Sequence, residues 1–396
     1  MGAWSELTGQ AGAIAALRAA AEVDPAGGVS DAMTHAWLLT GPPGSGRSNL
    51  AYAFAAALLS DDPDGDDATV RQVAARTHPD LTALSTDRVI ITVDEVRELV
   101  AKSQFSPSVG RYRVLVVEDA DRMTERTSNV LLKALEEPPE RTVWVLCAPS
   151  DTDLLPTIRS RVRTVRLTTP TVADVAALLV RRHGVAAALA EESARHAQSH
   201  IGMARRLATN AEARERRDEV LDLVLGVSTV GAAVNAAARL LEIAGDDGKA
   251  MAEERDERER EDALRSLGIA PGGTVPLQLR GQIRQLEEDQ KRRATRSLRD
   301  GLDRILIDLL SAYRDVLMIQ LGSALELVNA ERAAQLAAIA AAAGPERTLA
   351  VLDAIAEART RIAGNVAPAL ALEAMLVTAI RTAPAAAPGR ATRGRA

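Results

Sequence analysis

The run Gly41-Pro42-Pro43-Gly44-Ser45-Gly46-Arg47-Ser48 has residue types and spacing suited to holding phosphate. Glycines let successive backbone N–H groups close around phosphate oxygens, and a helix starting behind them adds partial positive charge. The apolar run Ala36-Trp37-Leu38-Leu39 before it reads as a buried strand, and Asn49 to Leu59 reads as a helix. That strand, glycine loop and helix are the setting the motif requires. One position departs: Arg47 stands where the loop normally carries lysine. A planar guanidinium does not substitute for a compact ammonium between terminal phosphates, so the loop has the parts of an ATPase without the full means of hydrolysis. A plain Gly-Pro turn without a ligand is the alternative.

Downstream, Val114-Leu115-Val116-Val117 ends in Glu118-Asp119. A buried strand ending in two acids is the Walker B pattern, in which the first acid reaches Mg²⁺ and the second polarises water. The usual order is Asp-Glu, and here it is inverted. Asn129-Val130-Leu131-Leu132-Lys133-Ala134-Leu135-Glu136-Glu137-Pro138-Pro139 follows, a helical pattern stopped by a double proline. Next comes Thr157-Ile158-Arg159-Ser160-Arg161-Val162-Arg163. Arginines on alternating positions before a strand cannot all be buried without partners, and one use for such a group is to reach a phosphate on a neighbouring subunit.

These segments need a scaffold. Strands are expected at Ala36–Thr40, Asp80–Leu84, Tyr112–Val117, Val143–Ala148 and Arg163–Leu167, with helices between them. This alternation predicts a parallel sheet covered on both faces, over residues 1–168. Short helical segments fill 169–208, and 209–382 reads as helix almost throughout. Within it, residues 245–300 are charged arms around a turn at Gly268, Pro271, Gly272 and Gly273, which reads as a protruding hairpin. Such a hairpin is either a solvated excursion or, through Lys291, Arg292, Arg293, Arg296 and Arg299, a contact for DNA or a partner. The Ala/Pro/Gly/Arg-rich tail 383–396 reads as disordered.

Composition bounds the rest. The 396 residues are 47% hydrophobic but only 2% aromatic, so the cores must be aliphatic, and two or three domains are expected. Cys147 is the single cysteine, which excludes an intrachain disulfide and suits a reducing cytoplasm. No segment has the length and apolarity of a membrane span, and Met1 to Ala20 lacks the pattern of a signal peptide. The net charge of −6 gives no general argument for nucleic acid.

Together the phosphate loop, the Glu118-Asp119-Ala120-Asp121 strand end, the E-E-P-P helix and the Ser160-Arg161 pair closely resemble the bacterial clamp loader, a branch of the AAA+ ATPases. Leu7-Thr8-Gly9-Gln10 resembles its adenine-side box, and Gly202-Met203-Ala204-Arg205 its lid motif. Residues Ala358 to Val366, with Leu370 to Glu373, resemble the helical collar of the delta-prime branch. The resemblance implies an AAA+ domain, a helical lid and an oligomerising collar. It implies a nucleotide site at Gly41, Gly44, Ser45, Gly46, Arg47, Ser48, Glu118, Asp119 and Arg205, holding ATP and Mg²⁺ weakly or as a vestige. It implies that Arg161 is an arginine finger acting in trans, with Arg159 as the competing candidate.

The implied partners are gamma/tau and delta subunits, with the sliding clamp and primer-template DNA reached through the complex. Family members commonly carry zinc-binding cysteines before the segment Thr77-His78-Pro79-Asp80. Here Ser60, Asp64, Asp67 and Val70 stand about where those would be, so no zinc is expected. Ala148, Pro149 and Ser150 replace the polar sensor expected after the Val143 strand. With Arg47 and the inverted acids, this favours the non-hydrolysing delta-prime type over the gamma/tau motor.

Overall fold

The computed structural model describes residues 3–4, 7–22, 32–85, 90–266, 297–364 and 366–381. They divide into two compact units: the first takes the described residues up to Thr209 together with 254–266, and the second takes 210–253 and those from 297 onward.

The first unit is built on five parallel strands: β1 (Ala36–Thr40), β2 (Leu81–Leu84), β3 (Arg113–Val117), β4 (Thr142–Ala148) and β5 (Arg163–Arg166), in the order β2-β3-β4-β1-β5. The central strands are apolar without interruption because both faces of the sheet are covered. Alternate residues go to opposite faces. Trp37, Leu39, Val114, Val116, Val143 and Val145 pack on one side. Leu38, Leu115, Val117, Trp144 and Leu146 pack on the other. Helices α1 (Ala11–Ala21) and α2 (Arg47–Leu59) supply residues to the first core, and α4 (Val93–Ser103), α5 (Glu125–Glu136) and α6 (Pro156–Arg159) to the second. The short α3 (Asp67–Ala74) follows α2. Trp37 meets Phe54 of α2 edge-on, ring centroids 5.3 Å apart.

The expected strands match to within a residue or so at their ends. The one instructive shift is Asp80, which is not the first strand residue. It is fully buried, and it accepts hydrogen bonds from the backbone N–H groups of Ser108, Val109 and Gly110 and from Arg113. These bonds hold its carboxyl below the usual range against the opposing effect of burial.

Three helices follow the sheet: α7 (Val172–His183), α8 (Ala187–His196) and α9 (Ile201–Thr209). Thr171 and Asp174 form a capping box at the start of α7, and Gly184, at φ +63°, ends it.

The second unit is helical. It contains α10 (Ala211–Leu225), the part of α11 (Val230–Ser266) up to Glu253, α12 (Ser297–Gln320), α13 (Ala333–Ala342), α14 (Pro345–Ala363) and α15 (Pro368–Arg381). No strand occurs after β5 among the described residues. The charged stretch Glu253–Asp262 is the continuation of α11. The glycine turn expected near 268–273, the basic arm up to residue 296, Asn365 and the tail lie outside the described residues. The sequence also suggests that the apolar stripes of Leu302–Leu321 and Val351–Ile380 exceed what a free surface tolerates and serve association with sister subunits, an expectation that needs correction. The apolar stripes of Leu302–Leu321 and Val351–Ile380 are largely used inside this unit, where Leu302, Leu306, Leu309, Val316, Ile355 and Leu372 share one core. Those core positions are therefore not spare surface; Leu298, Leu321, Leu325, Leu349 and Leu370 are the described leucines left exposed in this unit. No described helix is long and apolar enough to cross a membrane.

Candidate functional site

The phosphate loop connects the end of β1 to α2. Its first residue is tied to the neighbouring strand end, Gly41 N donating to Pro149 O at 3.1 Å, and Ser45 N closes the turn onto Pro42 O at 3.1 Å. Gly44 and Gly46 have φ of +80° and +91°, a region that disfavours any side chain. Gln10 anchors the loop from outside: its amide nitrogen donates to Ser45 O at 3.3 Å and to Thr168 O at 2.6 Å. The Ser45 hydroxyl is buried with no hydrogen-bond partner. A cradle of backbone N–H groups ahead of a helix fits an anion.

Gly44 is also close to the residue before α9. A side-chain carbon at this position would stand 2.4 Å from Cγ of His200 and 2.9 Å from its Cα. The start of α9 therefore rests on the loop, and α9 carries Arg205. Nothing in the sequence marked His200.

Arg47 is tied to its own loop. Its Nη1 donates to the carbonyl of Gly41, so the guanidinium folds onto the start of its own loop. Ser48 reaches across to the strand-end acid, its hydroxyl donating to Glu118 Oε2 at 2.7 Å. The motifs thus meet as their spacing implied.

The other oxygen of Glu118 has partners the motifs did not reveal. Tyr52 OH donates to Oε1 at 2.7 Å and Arg76 Nη2 at 2.8 Å. Tyr52 lies one helical turn after Ser48 on α2, so a signal existed in the i,i+4 spacing. Arg76 carried no signal; it follows the end of α3, and only the folded chain brings it to Glu118. Asp119 sits at φ +50°, which aspartate tolerates, and pairs with Arg122 at 3.3 Å. Burial pushes the Tyr52 phenol well up, so it stays a proton donor to the carboxylate. Cys147, buried at the end of β4, is pushed up by burial and is an inert packing residue.

A divalent cation does not fit this arrangement. Mg²⁺ demands near-octahedral oxygen ligands at short range. The carboxylate it would use is occupied by a guanidinium on one oxygen and a hydroxyl on the other. At the sensor position, Ser150 caps the turn at Asp151–Asp153, its hydroxyl accepting from Thr152 N and its own N–H donating to Asp153 Oδ2.

The segment before the sheet's edge strand is arranged differently. Arg163 donates to Ala32 O at 2.6 Å and lies over the Trp37 ring. Arg159 keeps a buried Nε with no hydrogen-bond partner. Arg161 is at the surface, with 34% of its side chain exposed, and its Nη2 is 2.5 Å from Glu136 Oε1. Its Nη1 donates to Thr157 O at 2.7 Å and Ser160 Oγ at 3.1 Å.

Residues 28–171 match the family described as DNA polymerase III, delta subunit. Subunit delta′ of DNA polymerase III from Pseudomonas aeruginosa is 40% identical over 134 residues, which is 32% of this chain and 41% of that protein. Over this stretch the α/β domain is similar to delta′-type subunits of DNA polymerase III. The delta′ subunit of Escherichia coli is 36% identical over 143 residues, 34% of this chain and 43% of that one. A gamma/tau subunit of Mycobacterium tuberculosis is 33% identical over 136 residues, 33% of this chain and 23% of that one. The chain thus spans about two fifths of the length of the delta′ relatives it matches. Among solved structures, a gamma subunit-related protein of Thermotoga maritima aligns with 94% of this chain and 99% of its own, at 16% identity and a TM-score of 0.41.

The matched stretch takes in the phosphate loop, the Glu118-Asp119 strand end and the Arg161 segment.

Proposed function

We propose that this chain is a delta′-type stator of a DNA polymerase III clamp loader. It would assemble with gamma/tau and delta subunits in the cytoplasm and help place a sliding clamp on primed DNA. It would supply Arg161 to the ATP site of the adjacent gamma/tau subunit and hydrolyse nothing itself. The finger's work is electrostatic: a guanidinium aimed at a transferring phosphoryl group offsets charge that develops in the transition state.

The observation that supports this reading best is the contrast between the two arginines. Arg47, where a motor would place its lysine, is folded back onto Gly41. Arg161 stands on the surface and is held there by Glu136. A site with its own cation withdrawn is poorly equipped for turnover, because catalysis needs charge fixed at the reacting phosphate.

The test is ATP hydrolysis by the purified chain alone and after mixing with gamma/tau, delta, clamp and primed DNA. The reading expects no turnover alone and full DNA-stimulated turnover only when this chain joins the mixture. Robust turnover by the lone chain that disappears in Ser48→Ala would instead favour a gamma/tau-type motor.

A further inference from the structure

The Walker B acids of this chain are already neutralised by its own arginines. Glu118 is only 14% exposed, and both its oxygens are engaged, Oε2 by Ser48 and Oε1 by Tyr52 and Arg76. Asp119 is paired with Arg122. The Arg76 guanidinium also lies 5.0 Å from the centre of the Tyr52 ring, so an aromatic face and a carboxylate hold it together.

The backbone gives a second, independent indication. Helix α3 ends in a Schellman turn: Arg76 N donates to Val73 O at 3.0 Å and Thr77 N to Gln72 O at 2.9 Å. Arg76 is the left-handed residue of that turn, at φ +57°. Glycine is the residue this position favours, and a side chain there is strained. The strain is borne by a residue whose guanidinium reaches Glu118.

In a working phosphate loop, the serine hydroxyl and the strand-end acid share a divalent cation beside the terminal phosphates. Here the fixed positive charge next to Ser48 and Glu118 belongs to Arg76. A dication entering between them would meet a guanidinium 2.8 Å from the same carboxylate. We infer that Arg76 takes the place of the divalent cation, so that this loop binds a nucleoside di- or triphosphate without a metal ion. The inference rests on the reading of the loop as a nucleotide site; it is independent of any role for Arg161.

The probe is ADP, titrated calorimetrically into the purified full chain, once with Mg²⁺ and once with EDTA. The expected result is binding with affinities that agree within about twofold under the two conditions. Arg76→Gly provides the contrast, because it removes the guanidinium while giving the turn its preferred residue. Its melting temperature should stay near that of the wild type, the relaxed turn offsetting the ion pair lost from Glu118. Its ADP affinity in EDTA should fall by about tenfold or more, with part of the loss restored by Mg²⁺. Wild-type binding that requires Mg²⁺, no ADP binding in either condition, or an Arg76→Gly chain that binds like wild type in EDTA would each overturn the inference. None of these outcomes bears on the complex-level test of Arg161, so the two claims fail separately.

Discussion

Arg161 and Glu136 form an ion pair within the chain, Nη2 to Oε1 at 2.5 Å, between the segment after α6 and the last residue of α5. Both side chains are substantially exposed, at 34% and 46%. Water screens such a pair, and its contribution to stability is on the order of 1 kcal/mol or less. Arg161→Ala and Glu136→Gln should therefore each move the urea-unfolding free energy by less than about 1 kcal/mol. A loss of several times that would make Arg161 a structural residue and remove the basis for treating it as a finger.

Gly44 and His200 should be energetically coupled. Gly44→Ala places a methyl group within 2.4 Å of the imidazole, on a backbone at φ +80°. The variant should lose more stability than the left-handed backbone alone explains, which is about 1 kcal/mol. In the double variant Gly44→Ala/His200→Ala the steric part should be recovered and the backbone part should remain. Additive losses in this double-mutant cycle would contradict the packing of α9 on the loop.

The sheet was legible because central parallel strands are apolar without interruption, and Trp37, Leu115 and Val145 announce themselves in any window. Ser48 and Glu118 were legible because their motifs encode a meeting point. Arg76 and His200 were not. Each reaches its partner from an exposed or turn position whose sequence neighbourhood looks like any solvated segment. The apolar stripes of the second unit misled for a related reason: helical periodicity shows that a face is buried but not whether its cover lies in the same chain.

The second unit contains a buried polar hub that no pattern flagged. Asp315 is fully buried and accepts from Asn329 N at 2.7 Å, Asn329 Nδ2 at 2.9 Å and Val328 N at 3.1 Å. Arg217, also buried, donates to Asp308 at 3.1 Å and to Asn329 Oδ1 at 2.5 Å. Asp315→Ala strips the loop before α13 of its acceptor and leaves buried donors unpaired. A loss of about 3 kcal/mol is expected by chemical denaturation. A change below about 1 kcal/mol would show that the loop finds other partners.

Asp66 gives a pH test in the first unit. It caps α3 through Ala68 N and Thr69 N and accepts from the Thr69 and Ser60 hydroxyls. These bonds, the Thr69 hydroxyl first, lower its pKa from 3.8 to about 2. A carboxyl depressed by folding contributes stability that is fully present above its unfolded pKa and is lost as pH falls toward the folded value. The melting temperature of Asp66→Ala should trail the wild type at pH 5, by the effect of a lost cap worth about 1 kcal/mol, and the gap should close toward pH 2. A gap that is constant with pH would contradict the assignment of Asp66 as a charged cap.

The most direct measurement is DNA-stimulated ATP hydrolysis by the assembled clamp loader carrying Arg161→Ala in this chain, beside Arg159→Ala as the register control. The account expects the Arg161→Ala complex to assemble normally and to hydrolyse ATP several-fold more slowly, since a finger contributes about 10³-fold or more at the site it completes. Arg161→Lys should rescue poorly because the guanidinium fork is lost. An Arg159→Ala complex should remain close to wild type. Wild-type hydrolysis by an assembled Arg161→Ala complex would contradict the account, and a loss confined to Arg159→Ala would move the finger two residues upstream.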